Sequence, residues 1–398
     1  MYNHHSALGV ATALKPAAPV TLIRPQAASR AARYFVEKFP GRSLYAVKAN
    51  PSPDLLRTLW DSGITHYDVA SIVEVRLVAE TLPEAKLCFM HPVKAEEAIA
   101  EAYHAHGVRT YSLDTMEELE KIVRATNGAT DLELCVRLRV SSEHSELSLA
   151  SKFGVELGEA RELLMATRQV ADALGICFHV GSQAMSPHAY TQAIERVRAA
   201  IVDASVTVDI IDVGGGFPSV YPGMEPPALD LYFDAIYRAV ESLPISYSSE
   251  LWCEPGRALA AEYSSLIVRV ERRRGNELYI NDGAYGALFD AAHIGWRFPV
   301  ELLRDKASEA DLQAFSFYGP TCDDMDHMAG PFMLPADVEA GDYIEIGMLG
   351  AYGCAMRTGF NGFTAETLTE VADEPMASMY GETAPTPHPV RANVVKIG

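Results

Sequence analysis

The sequence predicts an α/β protein, a (β/α)8 barrel followed by a C-terminal all-β domain, and three observations carry that prediction. Eight short apolar runs alternate with helical patterns over about 210 residues, the cadence of a parallel barrel. Polar and glycine residues cluster directly after those runs, at Lys48, Asp68, Arg137, His179, Gly214 and Glu254, where barrel enzymes place their chemistry. After Glu254 the helical patterns give way to strands separated by turns. A doubly wound sheet is the competing architecture for the first part of the chain.

The expected barrel strands are Leu44–Lys48, Ile64–Val69, Lys86–Phe89, Thr110–Leu113, Leu132–Leu138, Cys177–His179, Ile210–Val213 and Leu251–Glu254. Between them Pro53–Asp61 gathers Leu55, Leu56 and Leu59 on one helical face, and Ser71–Glu80 gathers Ile72, Val75 and Val78. Thr115–Thr126 opens with a capping pattern, Asp114 or Thr115 followed by Glu117 and Glu118. Ser265–Arg272, Glu277–Ile280, Ala314–Tyr318 and Asp342–Ile346 are the strands expected of the second domain, with Thr21–Arg24 as an addition to it. The resulting division is a barrel over 25–262, a β domain over 263–370 joined by residues 1–24, and a loosely ordered, proline-containing tail over 371–398.

A chain of 398 residues exceeds what one hydrophobic core usually organises, which also argues for two domains. A hydrophobic content of 48% with 22% charged residues is that of a globular protein. The formal net charge of -20 opposes nucleic-acid binding, which depends on neutralising phosphates, and favours approach of a cationic substrate. The six cysteines contain no CxxC pair, so neither a zinc site nor a disulfide framework is expected; Cys88, Cys135, Cys177 and Cys253 lie in apolar runs, and Cys322 does not. No basic segment precedes an apolar run at the N-terminus and no apolar stretch is long enough to span a bilayer. No membrane association and a cytoplasmic, reducing compartment are therefore expected.

Several short motifs bring reactive groups together. Tyr45-Ala46-Val47-Lys48-Ala49-Asn50 places an amine at the end of an apolar strand, where a low dielectric favours the neutral form that condenses with aldehydes. A packed stem with a solvated head would explain the same lysine. Asp212-Val213-Gly214-Gly215-Gly216-Phe217 follows a strand with three glycines whose N–H groups can cradle a phosphate, although the spacing is not GxGxxG; a plain turn would look the same. Cys253-Glu254-Pro255-Gly256-Arg257 offers a carboxylate that can pair with a protonated ring nitrogen, and Phe178-His179-Val180-Gly181-Ser182-Gln183 puts an imidazole at a strand end. Tyr318-Gly319-Pro320-Thr321-Cys322-Asp323-Asp324-Met325-Asp326 sets a thiol among three carboxylates, with no histidine pair at metal-ligand spacing. The segments around Tyr352 and Phe360 read as glycine-flanked turns.

In this order, over about residues 20 to 365, the motifs resemble the fold-type III pyridoxal 5′-phosphate decarboxylases of ornithine, lysine, arginine and diaminopimelate, with the ornithine branch nearest. The resemblance implies an alanine-racemase-like barrel and assigns the cofactor lysine to Lys48. It places Asp68 beside cofactor and lysine, and Arg137 against the cofactor. His179 would stack on the pyridine ring, and Glu254 would pair with its nitrogen. Ser182, Gly214, Gly215, Gly216, Gly256, Arg257 and Tyr352 would bind the phosphate. Asp290, Asp323 and Phe360 fall on the substrate side, and Cys322 on the thiol that returns a proton to Cα. In the family, the pair matching Cys322 and Asp323 crosses a dimer interface, which implies a homodimer with shared sites. No metal is implied.

The implied reaction is decarboxylation of L-ornithine to putrescine, a step of polyamine biosynthesis, with L-lysine to cadaverine beside it. A distal carboxylate, as in diaminopimelate, would meet the like charges of Asp290 and Asp323. Ornithine and lysine differ by one methylene, a discrimination of only about 1–3 kcal/mol. Gln183 and Phe289 depart from the ornithine branch, which usually has Gly and Tyr there, and leave pocket length open. The alternatives are decarboxylation of lysine, arginine or diaminopimelate, a racemase-type enzyme, which would carry arginine where Glu254 stands, and a non-catalytic binding protein of the same fold.

Overall fold

The computed structural model describes residues 5–244, 248–363 and 367–381. The chain divides into two units: Ala31–Pro218 with Pro226–Ala258, and the residues up to Arg30, Ser219–Glu225 and from Leu259 onward.

In the first unit eight parallel strands close into a barrel in the order Arg42–Ala46, His66–Val69, Lys86–Phe89, Thr110–Leu113, Glu133–Arg137, Ala173–Cys177, Ile210–Asp212 and Glu250–Cys253, the last pairing with the first. Leu44, Cys88, Met90, Cys135, Cys177, Ile210 and Trp252 fill the interior. Small side chains suit that space: a Cβ on Gly175 would stand 2.4 Å from Cys135 Sγ. The sixth strand runs over Ala173–Cys177 rather than Cys177–His179, so His179 lies beyond the ladder and not within it. Its Gly175 and the flanking Asp172 had masked the apolar run.

The helices follow their sequence signals closely. Pro53–Asp61 has its predicted bounds, with Ser52 Oγ accepting from the Leu55 N–H at 3.3 Å. Ser71 and Thr115 cap Ile72–Thr81 and Met116–Ala125, each accepting the N–H of a glutamate three residues on. Phe217, just past the glycine triplet, packs edge-on to Phe35 at 5.3 Å and stacks on Tyr190 at 5.1 Å, anchoring that loop to two helices.

The second unit is a mostly antiparallel sheet ordered Val300–Leu303, Tyr343–Ile346, Ser264–Arg274, Glu277–Ile280, Leu312–Tyr318 and His327–Pro335. Val20–Ile23 pairs antiparallel with Ser264–Arg274 and parallel with Thr367–Glu370. Three of these strands are invisible to the sequence reading: Val300–Leu303, Thr367–Glu370 and His327–Pro335. The last contains Gly330-Pro331, a turn signal that an edge strand tolerates. The described part of the expected loose tail, residues 371–381, is packed. Val371 joins the core of Val20, Leu22, Ile267 and Leu303 with the helix Ala7–Leu14, and Ala377, Met379 and Tyr380 are also buried. Arg24 follows the first strand rather than ending it, and its buried guanidinium lies 2.8 Å from Glu345 and 2.9 Å from Asp373. The remainder of the tail, 382–398, lies outside the described residues.

Candidate active site

In the barrel unit the strand Arg42–Ala46 runs into one tight turn, Val47–Ala49, closed by the Asn50 N–H on the Val47 carbonyl at 3.0 Å. Lys48 therefore stands in a turn and not on the strand. Its Nζ lies 3.1 Å from Asp68 Oδ2, with the lysine side chain 43% exposed and that of Asp68 3%. A buried carboxylate and solvent hold this amine, which corrects the expectation of a low-dielectric setting. Glu74 stands nearby: its Oε2 accepts from the Ala70 N–H at 2.7 Å, and burial raises its carboxyl above the usual range.

Asp212 ends one strand and Glu254 directly follows the next, Glu250–Cys253, and the backbone pairing continues beyond both strands. The Val213 N–H donates to the Trp252 carbonyl at 3.0 Å and the Glu254 N–H to the Gly214 carbonyl at 2.9 Å. Asp212 Oδ1 accepts from the Gly214 N–H at 2.8 Å. Burial, opposed by its hydrogen bonds, pushes the Asp212 carboxyl up to about 6. Burial first, then the charges of Asp212 and Asp68, holds Glu254 well above the usual carboxylate range, with Lys48 opposing.

The glycines are there because nothing larger fits. Gly214 adopts φ +68° and a Cβ on it would stand 1.9 Å from the Phe178 carbonyl oxygen. A Cβ on Gly215 would come 3.0 Å from His179 Nε2. His179 Nδ1 accepts the Gly181 N–H at 3.0 Å, so a neutral ring carries its proton on Nε2. Burial, reinforced by the charges of Arg137 and Lys48, keeps it neutral. Arg137 closes its strand and lies 5.6 Å from the Phe153 ring, which packs edge-on to His91. Ser182 begins the short strand Ser182–Ala184, paired with Ser145–Leu147. Gln183 adopts φ +58° there, a conformation that favours glycine. Gly256 approaches the Ala46 and Ala49 methyl groups so closely that a Cβ would sit 3.2 Å from each, and Arg257 follows, buried.

The other predicted residues belong to the sheet unit, where a cavity of about 770 Å³ is lined by Tyr285, Thr321, Cys322, Asp323, Asp326 and Phe363 among others. Cys322 is exposed; its N–H and Sγ lie 3.2 and 3.4 Å from Asn361 Oδ1. Tyr285 donates its hydroxyl to Asp323 Oδ2, and this hydrogen bond holds the Asp323 carboxyl below its usual range. The rings of Tyr285 and Phe360 are 4.8 Å apart. Buried Asp326 steadies the loop by accepting from the Ala284 N–H at 2.7 Å and from Thr321 N–H and Oγ1 at 3.0 and 2.8 Å. Asp290 opens the short helix Phe289–His293, and Tyr352 adopts φ +65°. Asp212, Glu74, Tyr285 and Asn361 escaped the sequence reading. Only Asp212 left a signal, a carboxylate ending an apolar run immediately before the glycines.

The barrel-mouth residues fit a phosphorylated pyridine aldehyde. A solvent-reachable amine stands at Lys48, the three glycines, whose Cβ positions are taken by neighbouring protein atoms, leave a side-chain-free turn whose N–H groups could meet a phosphate, and two carboxyls lie at the strand ends where a ring N–H⁺ could be met. Among the described residues no group of three or more metal-ligating side chains converges, and no helix is long and apolar enough to cross a membrane.

Residues 26–261 match the family model of the pyridoxal-dependent decarboxylase, pyridoxal binding domain. A lysine/ornithine decarboxylase from Selenomonas ruminantium is 30% identical over 342 residues, 83% of this chain and 84% of that protein. An antizyme inhibitor 2 from Xenopus laevis is 32% identical over 358 residues, 81% of this chain and 74% of that protein. The crystal structure of the Paramecium bursaria Chlorella virus arginine decarboxylase superposes with a TM-score of 0.81 at 27% identity, covering 91% of this chain and 98% of that one.

Proposed function

The chain belongs to the pyridoxal-dependent decarboxylases of basic amino acids, and within that family we propose that it converts L-ornithine to putrescine, with L-lysine to cadaverine as a second reaction. It is a carboxy-lyase that binds pyridoxal 5′-phosphate. The observation that carries the choice of substrate is Asp323, a carboxylate that accepts the Tyr285 hydroxyl, which lowers it below its usual range, in a roomy cavity suited to a distal ammonium.

Bound pyridoxal phosphate supplies an electron sink for the pair left at Cα when CO2 departs. In this reading Lys48 would hold the cofactor aldehyde, and Asp68 would steady the ammonium form of the same side chain. Glu254 would pair with the ring nitrogen, and neutral His179 would lie against the ring without adding a second positive charge. Arg137, Ser182, Gly214, Gly215, Gly216, Gly256, Arg257 and Tyr352 take the phosphate and the cofactor's edges. Asp290 and Asp323 take the distal ammonium, beside Phe360. The Cys322 thiol returns the proton to Cα.

The reading includes a homodimer in which Cys322 and Asp323 of the partner subunit complete each barrel site. It also includes a cytoplasmic location, supported by six free thiols. CO2 release measured side by side on ornithine, lysine, arginine and diaminopimelate tests the substrate: ornithine is expected to lead with lysine second, and a lead for either of the others overturns it. Lys48→Ala is expected to lose both the cofactor's visible absorbance and turnover. Mixing the Lys48→Ala and Cys322→Ala chains is expected to restore activity that neither has alone, and failure to do so argues against shared sites.

A further inference from the structure

Resting on the pairing of Glu254 with the cofactor's ring nitrogen, we propose that Asp212 is a positioning residue that shares one proton with Glu254, and that Glu254 passes this proton to the ring nitrogen as the cofactor binds. The geometry carries the idea. Asp212 is wholly buried, and its Oδ1 is spoken for by the Gly214 N–H at 2.8 Å. Its Oδ2 is buried with no N–H or O–H on it among the described residues. Glu254 is its neighbour just past the next strand: Asp212 pairs with Trp252, two residues before Glu254, the Glu254 N–H binds the Gly214 carbonyl at 2.9 Å, and the two carboxyls interact. Two ionised carboxylates side by side in a buried site repel and leave a buried acceptor unmet; one proton between them satisfies Oδ2 and removes a charge.

The surroundings neither supply that proton nor remove the need for it. Lys48 is ion-paired with Asp68, His179 is neutral, and Asp68 adds a further negative charge. Arg137 is the cation that reaches Asp212 electrostatically, and the buried thiols Cys177 and Cys253 remain protonated. When an unprotonated pyridine enters, the Glu254 O–H bond breaks and an N–H bond forms on the ring. The pair goes from one negative charge to two, beside a new positive charge on the ring, with no proton drawn from water.

Calorimetric titration of pyridoxal phosphate into the cofactor-free protein near neutral pH, in buffers of different ionisation enthalpy, counts the protons exchanged. Asp212→Asn keeps an oxygen for Gly214 but turns an N–H toward Glu254, which then ionises. This variant is expected to take up about one more proton per chain than the unsubstituted protein and to bind the cofactor more weakly. Equal proton counts overturn the proposal. Infrared difference spectra of the unsubstituted protein give a second readout that needs no variant. Loading is expected to remove a protonated-carboxyl stretch, and an unchanged stretch overturns the proposal. If Glu254→Gln binds the cofactor with unaltered affinity and proton count, the role of Glu254 itself falls, a failure distinguishable from that of Asp212 alone.

Discussion

Tyr285 shows how one hydroxyl can set the chemistry of a carboxylate without touching the reacting bonds. Its hydrogen bond to Asp323 orients that acid and lowers its carboxyl below the usual range, while the tyrosine ring is set by contact with Phe360. Tyr285→Phe keeps the ring contact and removes the donor, so KM for a diamino acid is expected to rise several-fold while kcat changes little. Steady-state kinetics on the two parameters decide the matter, and a fall confined to kcat would contradict this role. His179 makes the complementary point: burial, with two nearby cations and a backbone N–H on Nδ1 acting the same way, keeps the ring neutral, so it adds no charge beside Lys48.

At the scale of elements, the barrel mouth is assembled by backbone pairing that outlasts the strands. The Gly214 carbonyl receives the Glu254 N–H, the Asp212 carbonyl receives the Phe178 N–H, and the Gly216 carbonyl receives the Ala184 N–H, all between 2.9 and 3.2 Å. Glycine is required there by both conformation and space. Gly214→Ala puts a methyl group against the Phe178 carbonyl at a positive φ, and is expected to cost about 2–4 kcal/mol and weaken cofactor binding. Urea denaturation and a cofactor titration measure both effects, and a wild-type profile in each would show that the loop relaxes freely.

For the molecule as a whole, the sheet unit is tied to its C-terminal segment by buried charge. Glu262 accepts from Ser378 Oγ and the Met379 N–H at 2.8 Å each, and Asp373 and Glu374 meet Arg24 and Arg30. Burial, opposed by these hydrogen bonds, raises the Glu262 carboxyl from the usual carboxylate range to about 7. A carboxyl with a raised folded value binds more protons folded than unfolded between the two. Its contribution therefore falls as pH rises through that window, by about 3 kcal/mol in all, and levels off above it. Glu262→Gln is expected to flatten stability against pH between about 5 and 7, read from urea midpoints and from hydrogen exchange at the Met379 amide. An unaltered slope would remove Glu262 from the account. The alternation of apolar runs and helical faces was enough to determine a parallel α/β sheet, because a parallel strand buried on both sides must be apolar along its length, and the polar residues clustered after the strands favoured a barrel over a doubly wound sheet. Motif order likewise brought out Lys48, His179, the glycines and Glu254. Tertiary structure alone decided that Lys48 stands in a turn beside Asp68, that Asp212 faces Glu254, that Tyr285 and Asn361 hold Asp323 and Cys322, and that Val371–Tyr380 packs. Those facts depend on contacts between residues far apart in the chain, and such contacts leave no period or spacing in a single sequence.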